Sequence, residues 1–243
     1  MNDEHLDFQL KKWQFDPESN CVRLLKGADG RDVIQMRVDL GILQLETTGR
    51  PDGTRPEGFP TLLDQLLHEE TQSPEFELSE ETCMEIDREF VQFYHRRVAW
   101  LRLQRFDKAV NDANHTLALM DFCQDHSPCE DWTLQHEQHR AFVIFHRSQA
   151  AALGAIEDHS PQGALKAIDE GLELIQENFE DMGWEDDFES DELVQRLTHM
   201  RDSLRSEFSI QKSLREQLAE AVELEQYELA ARLRDEMSRN ATN

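Results

Sequence analysis

The stretches "AVNDANHTLALM" (residues 109–120) and "ALKAIDEGLELI" (residues 164–175) follow one pattern. A small residue comes first, a small or apolar one four positions on, a leucine four further, and then an apolar end. At 3.6 residues per turn that spacing gathers Ala109, Ala113, Thr116, Leu117 and Met120 on one helix face. Ala164, Ile168, Gly171, Leu172 and Ile175 share the corresponding face of the second copy. The segments ahead of them echo as well, "HRRVAW" at 95–100 against "HRSQAA" at 146–151. A helix pair repeated in this way cannot bury its apolar face alone and has to stack on a neighbour. The fold class that follows is mainly α, with an antiparallel helical body.

Upstream of the repeat, Ser79 with Glu81 and Thr82 reads as a helix start, with acids at its positive end. Phe90, Phe93, Tyr94, Val98 and Leu101 then recur at helical spacing. A break at "LQRFD" separates this helix from the next, and "EQHRAFVIFHRSQAAALGAI" and Pro161 mark two more. The first seventy residues have another texture. In "VRLLKGADGRDVIQMRVDLGILQLE" (22–46), β-branched and apolar residues flank Asp29-Gly30, a hairpin signal because glycine tolerates the positive φ of such turns. Val33, Ile34, Met36 and Val38, then Leu40, Ile42, Leu43 and Leu45, predict one or two further strands. The prolines of "TGRPDGTRPEGFP" (48–60) forbid a helix or central strand there, and Thr61 is placed to cap the helix "LLDQLLHEE".

The organisation expected is a small β-containing segment over 1–75, helical repeats over 76–180, an acidic linker over 181–192, and C-terminal helices over 193–243. The tract "EDMGWEDDFESDE" carries acid and no base, yet Trp184 and Phe188 argue for a short loop that docks its aromatics. "LVQRLTHMRDSLRSEFSIQKSL" is read as one long helix leading to the tail.

Residues 85–180 resemble the tetratricopeptide repeat, with Phe106, Ala109 and Leu117 at its turn-aromatic, small and large positions. Arg97 stands where that pattern usually has glycine, extra residues surround "EDHSP", and the link between the copies is overlong. A generic antiparallel bundle is the competing reading.

The charge balance is 25 basic against 51 acidic residues, a net of −26. Such a surface repels phosphate, which disfavours direct nucleic-acid binding or docking on an anionic membrane. No apolar run reaches the length of a membrane span, and "MNDEHLDFQLKKW" lacks the pattern of a signal peptide. Four cysteines without a CxxC pair make no disulfide framework, so the setting expected is a reducing cytoplasm.

The tail "LREQLAEAVELEQYELAARLRDEM" (214–237) reads as two short helices with a turn near Glu225-Gln226. Its apolar stripe is Leu214, Leu218, Ala221 and Val222, then Tyr227, Ala230, Ala231, Leu233 and Met237. Two helices this short leave part of the stripe open whatever they do, and so call for a second hairpin. The aromatic-Glu-x-Ala-Ala-x-Leu-Arg-Asp run, after an apolar helix, resembles the UVR motif (here 212–239) of the UvrB and UvrC excision-repair proteins. The same motif occurs in bacterial stress regulators of the McsA type and in some Clp ATPases. The resemblance implies protein–protein pairing through Leu214, Leu218, Ala221, Val222, Tyr227, Ala230, Ala231, Leu233, Arg234, Asp235 and Met237, with no catalytic residue.

Two other groups invite chemistry. The tandem "GRPDGTRPEG" sets Arg50, Asp52 and Arg55 on tight turns, where a fork of arginines can hold a carboxylate or phosphate; pairing of each arginine with a nearby acid is the competing reading. The wording around it is similar to the N-terminal region of uncharacterised bacterial proteins that also end in a UVR hairpin. "CQDHSPCEDWTLQHEQH" gathers Cys123, His126, Cys129, His136 and His139, with the two last expected on one helix face, but at no usual zinc spacing; an irregular loop is expected and no metal assigned. No P-loop, GxSxG, HExxH or dinucleotide turn is present. The expectation is a non-enzymatic adaptor without cofactor, pairing with a UVR hairpin of another protein or of a second copy. The alternative is an N-terminal ligand-binding or catalytic module.

Overall fold

The computed structural model describes residues 6–17, 21–73, 76–210, 217, 218, 221, 222, 224 and 226–240. The chain forms two compact units, Met1–Leu197 and Thr198–Asn243. As the repeat pattern and the hairpin signal predict, it is mainly α with a small N-terminal sheet.

The first unit opens with a short helix α1 (Asp7–Lys12), which the sequence reading did not anticipate. A three-stranded antiparallel meander follows: β1 (Val22–Lys26), β2 (Asp32–Val38) and β3 (Gly41–Glu46). The register pairs Leu24 with Ile34, and Met36 with Leu43. At the first turn Gly30 takes φ +85°, the conformation that its hairpin signal requires. Val22, Ile34, Met36 and Leu45 face a core shared with helices of the body, against Ala99, Trp100, Phe106, Ala109 and Ala150. On the N-terminal side, the Arg37 guanidinium donates to the Trp13 carbonyl at 2.8 Å, and that of Arg23 lies over the Trp13 ring at 4.1 Å.

Helix α2 (Leu62–Gln72) starts at Thr61, whose hydroxyl accepts from Asp64 N. The body is built from α3 (Glu80–Arg102), α4 (Phe106–His126), α5 (Glu130–Glu137), α6 (Arg140–Glu157) and α7 (Pro161–Asp181). Ser79 caps α3 by accepting from Thr82 N, and Ser160 caps α7 with Pro161 in its first turn. Thus α3–α4 and α6–α7 are two helical hairpins in tandem, α4 packing on α6. Leu62, Leu63 and Leu66 of α2 close a second core with Ile86, Phe90, Leu119, Phe122 and Cys123. Where α6 and α7 cross, Gly171 meets the buried Ser148 so closely that a Cβ on the glycine would lie 2.6 Å from the serine Cβ.

Two expectations about the cysteine–histidine stretch are corrected. The stretch around Cys123 and Cys129 is not an irregular loop: α4 runs through His126 and α5 starts at Glu130. His136 and His139 do not share a helix face, since the first lies in α5 and the second precedes α6.

The acidic tract forms a 3-10 helix, Glu185–Ser190, with Trp184 and Phe188 edge-on to Phe179 at 6.1 and 5.9 Å. Asp191 then caps α8 (Glu192–Phe208), accepting from Leu193 N and Val194 N. The long helix expected through residue 214 ends at Phe208. Ser209 adopts φ +53° and Ile210 N returns to the Arg205 carbonyl at 3.0 Å, a left-handed stop. The second unit closes on α9 (Tyr227–Asn240).

Candidate functional site

In the tail, the described residues of the first arm, Gln217, Leu218, Ala221 and Val222, are helical. That arm ends where Gln226 N donates to the Ala221 carbonyl at 2.7 Å. The Gln226 carbonyl then receives Leu229 N and Ala230 N, which starts α9. Ala221, Ala230 and Leu233 are buried together, with Leu218 packed against them. Among the described residues these four form the hairpin's own core, small because two of them are alanines. Around the turn the situation is the reverse: Val222 is 54% exposed, Leu224 58% and Tyr227 68%, with Leu229 also open. Ala231, Arg234 and Asp235 are exposed and Met237 is half-buried, while Leu214 lies outside the described residues. Arg234 and Asp235 approach each other at 3.7 Å.

The structure therefore sorts seven of the eleven residues of the sequence reading into two jobs. Leu218, Ala221, Ala230 and Leu233 hold the two arms together; Val222, Tyr227 and Ala231 present apolar surface to solvent. Leu224 and Leu229 belong to that open surface and were missed. Their one available signal was position, two leucines bracketing the turn.

Residues 209–239 match the UvrB/uvrC motif. The match begins one residue after α8 ends and covers both arms. No curated protein and no solved structure matches the chain. The motif suggests an interaction module of the UvrB/UvrC type.

In the Arg-Pro loop, Arg50 is buried and committed. Its Nη2 donates to Glu85 Oε2 at 2.9 Å, its Nη1 to Thr54 Oγ1 at 3.3 Å, and its Nε lies 3.3 Å from Glu89 Oε2. Glu89, fully buried on α3, also accepts from Leu62 N, Leu63 N and His115 Nε2, so this one carboxylate sits at the N-terminus of α2. Asp52 accepts from Thr54 N, Thr54 Oγ1 and Gln92 Nε2. Its partial burial works to raise its carboxyl, but those bonds outweigh this and hold it below its ordinary value. Arg55 is exposed beside an open cleft of about 600 Å³, which Arg50 and Asp52 also line.

The cysteines and histidines have separate surroundings. Cys123 is fully buried, and burial pushes its thiol up to about 12; Cys129 is exposed ahead of α5. His126 is paired with Glu70 at 3.2 Å, and His136 with Asp87 at 2.9 Å. Among the described residues no group of three His, Cys, Asp or Glu side chains is arranged to hold a metal ion. None of their helices is long and apolar enough to cross a membrane.

Proposed function

We propose that this protein is a non-enzymatic adaptor whose C-terminal hairpin pairs with a second UVR-type hairpin, that of another protein or of a second copy. One observation carries the reading: within a segment that matches the UvrB/uvrC motif, the hairpin leaves Val222, Leu224, Tyr227 and Leu229 in water while its own core has four residues among those described. A partner hairpin laid over those side chains removes their apolar surface from solvent. The tandem hairpins α3–α4 and α6–α7, with α5 inserted between them, support a tetratricopeptide-like body that carries the module. The net charge of −26 favours a route through protein contacts rather than nucleic acid, and the cysteine usage favours a reducing cytoplasm as its setting.

The alternative, a ligand-binding N-terminal loop, loses one of its two arginines to internal acids, since Arg50 is held by Glu85 and Glu89. The test compares the full chain with its Leu224→Ser/Tyr227→Ser form. Light scattering reads self-association, and pull-down with isolated UvrC-type and Clp-type UVR hairpins reads the partner. Pairing by the native chain and its loss in the double variant are expected. Equal masses and equal capture for both forms overturn the reading.

A further inference from the structure

The largest fully buried side chain of the body is a cation. Arg97 of α3 is 2% exposed, and no carboxylate lies within ion-pairing distance of it among the described residues. The nearby acid, Asp112, is taken by Arg96 through two bonds. Arg97 is held only by neutral groups: its Nε donates to His146 Nδ1 at 3.3 Å and its Nη1 to Thr116 Oγ1 at 3.1 Å. Acceptance at Nδ1 fixes His146 as the neutral ring, and burial beside Arg97 and Arg196 pushes its pKa down to about 4. The third nitrogen of the guanidinium, Nη2, makes no hydrogen bond among the described residues. Burial draws the guanidinium down to about 10, against the opposing pull of Asp112 and Tyr94.

Arg97 lines a cleft of about 560 Å³ between α3, α4, α5 and α6. The other walls are apolar and aromatic, chiefly Phe90, Val91, Tyr94, Met120, His136 and Phe142. Asp87 also lines it, its carboxylate half exposed and already accepting from Trp132 Nε1 and His136 Nε2. We propose that this cleft binds a small organic monocarboxylate with an aryl or branched alkyl body, its carboxylate received by Arg97. The volume suits a small molecule. A guanidinium without an ion-paired acid gains most from a carboxylate, one oxygen of which accepts a charge-assisted bond from the open Nη2. The rings take up the apolar body. Asp87 repels a second negative charge near the carboxylate, which selects a monoanion over a dicarboxylate or a phosphate.

The experiment titrates the full chain with 3-phenylpropionate by calorimetry. Its arms are 3-phenylpropionamide, terephthalate, and a short peptide ending in phenylalanine. Saturable binding of the acid is expected, weaker by at least about tenfold for the amide and for terephthalate. Arg97→Gln should abolish binding. Because that residue is buried, Val91→Trp is the second variant: it fills the cleft from an exposed position and should also abolish binding while leaving the far-ultraviolet spectrum unchanged. No saturation by the acid, equal binding of acid and amide, or undiminished binding in a folded Val91→Trp protein overturns the proposal. So does binding of the peptide without the free acid, which would make the site a chain-end receptor.

Discussion

Arg96 and Asp112 meet in a two-bond fork across the α3–α4 seam, Nε to Oδ2 at 2.9 Å and Nη2 to Oδ1 at 2.8 Å, both side chains buried. The remaining nitrogen, Nη1, reaches out of the helical body to the carbonyl oxygens of Glu46 and Gly49 at 3.2 and 2.7 Å. One guanidinium thus fastens the end of the sheet to the first helical hairpin. Arg96→Met strands a buried carboxylate and two carbonyls, and should cost about 3–5 kcal/mol in urea unfolding. Adding Asp112→Leu removes the stranded charge and should recover part of that loss. Amide exchange should accelerate first over residues 41–50, where the carbonyls lose their donor.

Glu89 is the corresponding device for α2. Glu89→Gln keeps the shape but deletes the charge that faces Arg50, His115 and two backbone N–H groups. The amide nitrogen cannot accept, so one helix donor is left unsatisfied. A loss of about 2–4 kcal/mol is expected by denaturant titration. An unchanged midpoint would show that α2 is held by its leucines alone.

Gly171→Ala drives a methyl into Ser148 at the α6–α7 crossing. The gain from replacing glycine inside a helix is about 1 kcal/mol. Overpacking costs about 1–3 kcal/mol and outweighs it at this separation. A fall in melting temperature is expected, and Ser148→Gly in the same chain should restore most of it. Additivity of the two changes would refute the contact.

The half-buried histidines set an acid limit. Burial lowers the folded pKa of His95, of His136 (where Asp87 opposes the effect) and of His146, the last to about 4 from an ordinary 6.5. Between those values the unfolded chain binds the proton and the folded one does not. Stability is therefore complete above about pH 6.5 and is lost as pH falls toward 4. One such group contributes a slope of at most about 1.4 kcal/mol per pH unit. His146→Gln, which can still accept from Arg97, should flatten the slope between pH 6.5 and 4. An identical profile would exclude His146 as a contributor.

In the tail, two substitutions should separate folding from pairing. Leu233→Ala empties the small core beside Ala221 and Ala230, and should lower helicity and stability by about 2–4 kcal/mol. Tyr227 is mostly in solvent, so Tyr227→Ser should leave the circular dichroism spectrum unchanged while weakening capture of a UVR hairpin. Loss of helicity in Tyr227→Ser would place the tyrosine in the hairpin's own structure instead.

Local signals were legible wherever one residue dictates the backbone. Gly30 turns the hairpin, Thr61 and Ser79 cap their helices, and Pro161 opens α7. What the sequence hid depends on meetings in space. Glu89 is one acid among 51 until α2 arrives over it. Helix α5 buries only Glu137, so it has no apolar stripe for a periodicity to reveal. The end of α8 rests on a serine in a conformation usually given to glycine. In the tail the run of aromatic, Ala-Ala and Leu-Arg-Asp was readable, but not which of two adjacent alanines faces inward: Ala230 is buried and Ala231 is open.

The Arg96 anchor grips main-chain oxygen, not side chains. What it recognises at residues 46 and 49 is the path of the chain, so the lettering there is free to drift as long as that path persists. Gly49 is the exception, with φ +64° and the Pro60 oxygen only 3.0 Å from where a Cβ would stand. Distant homologues should therefore diverge along the rim of the sheet while keeping a glycine at this point and an arginine opposite it, a two-letter signature whose members stand 47 positions apart.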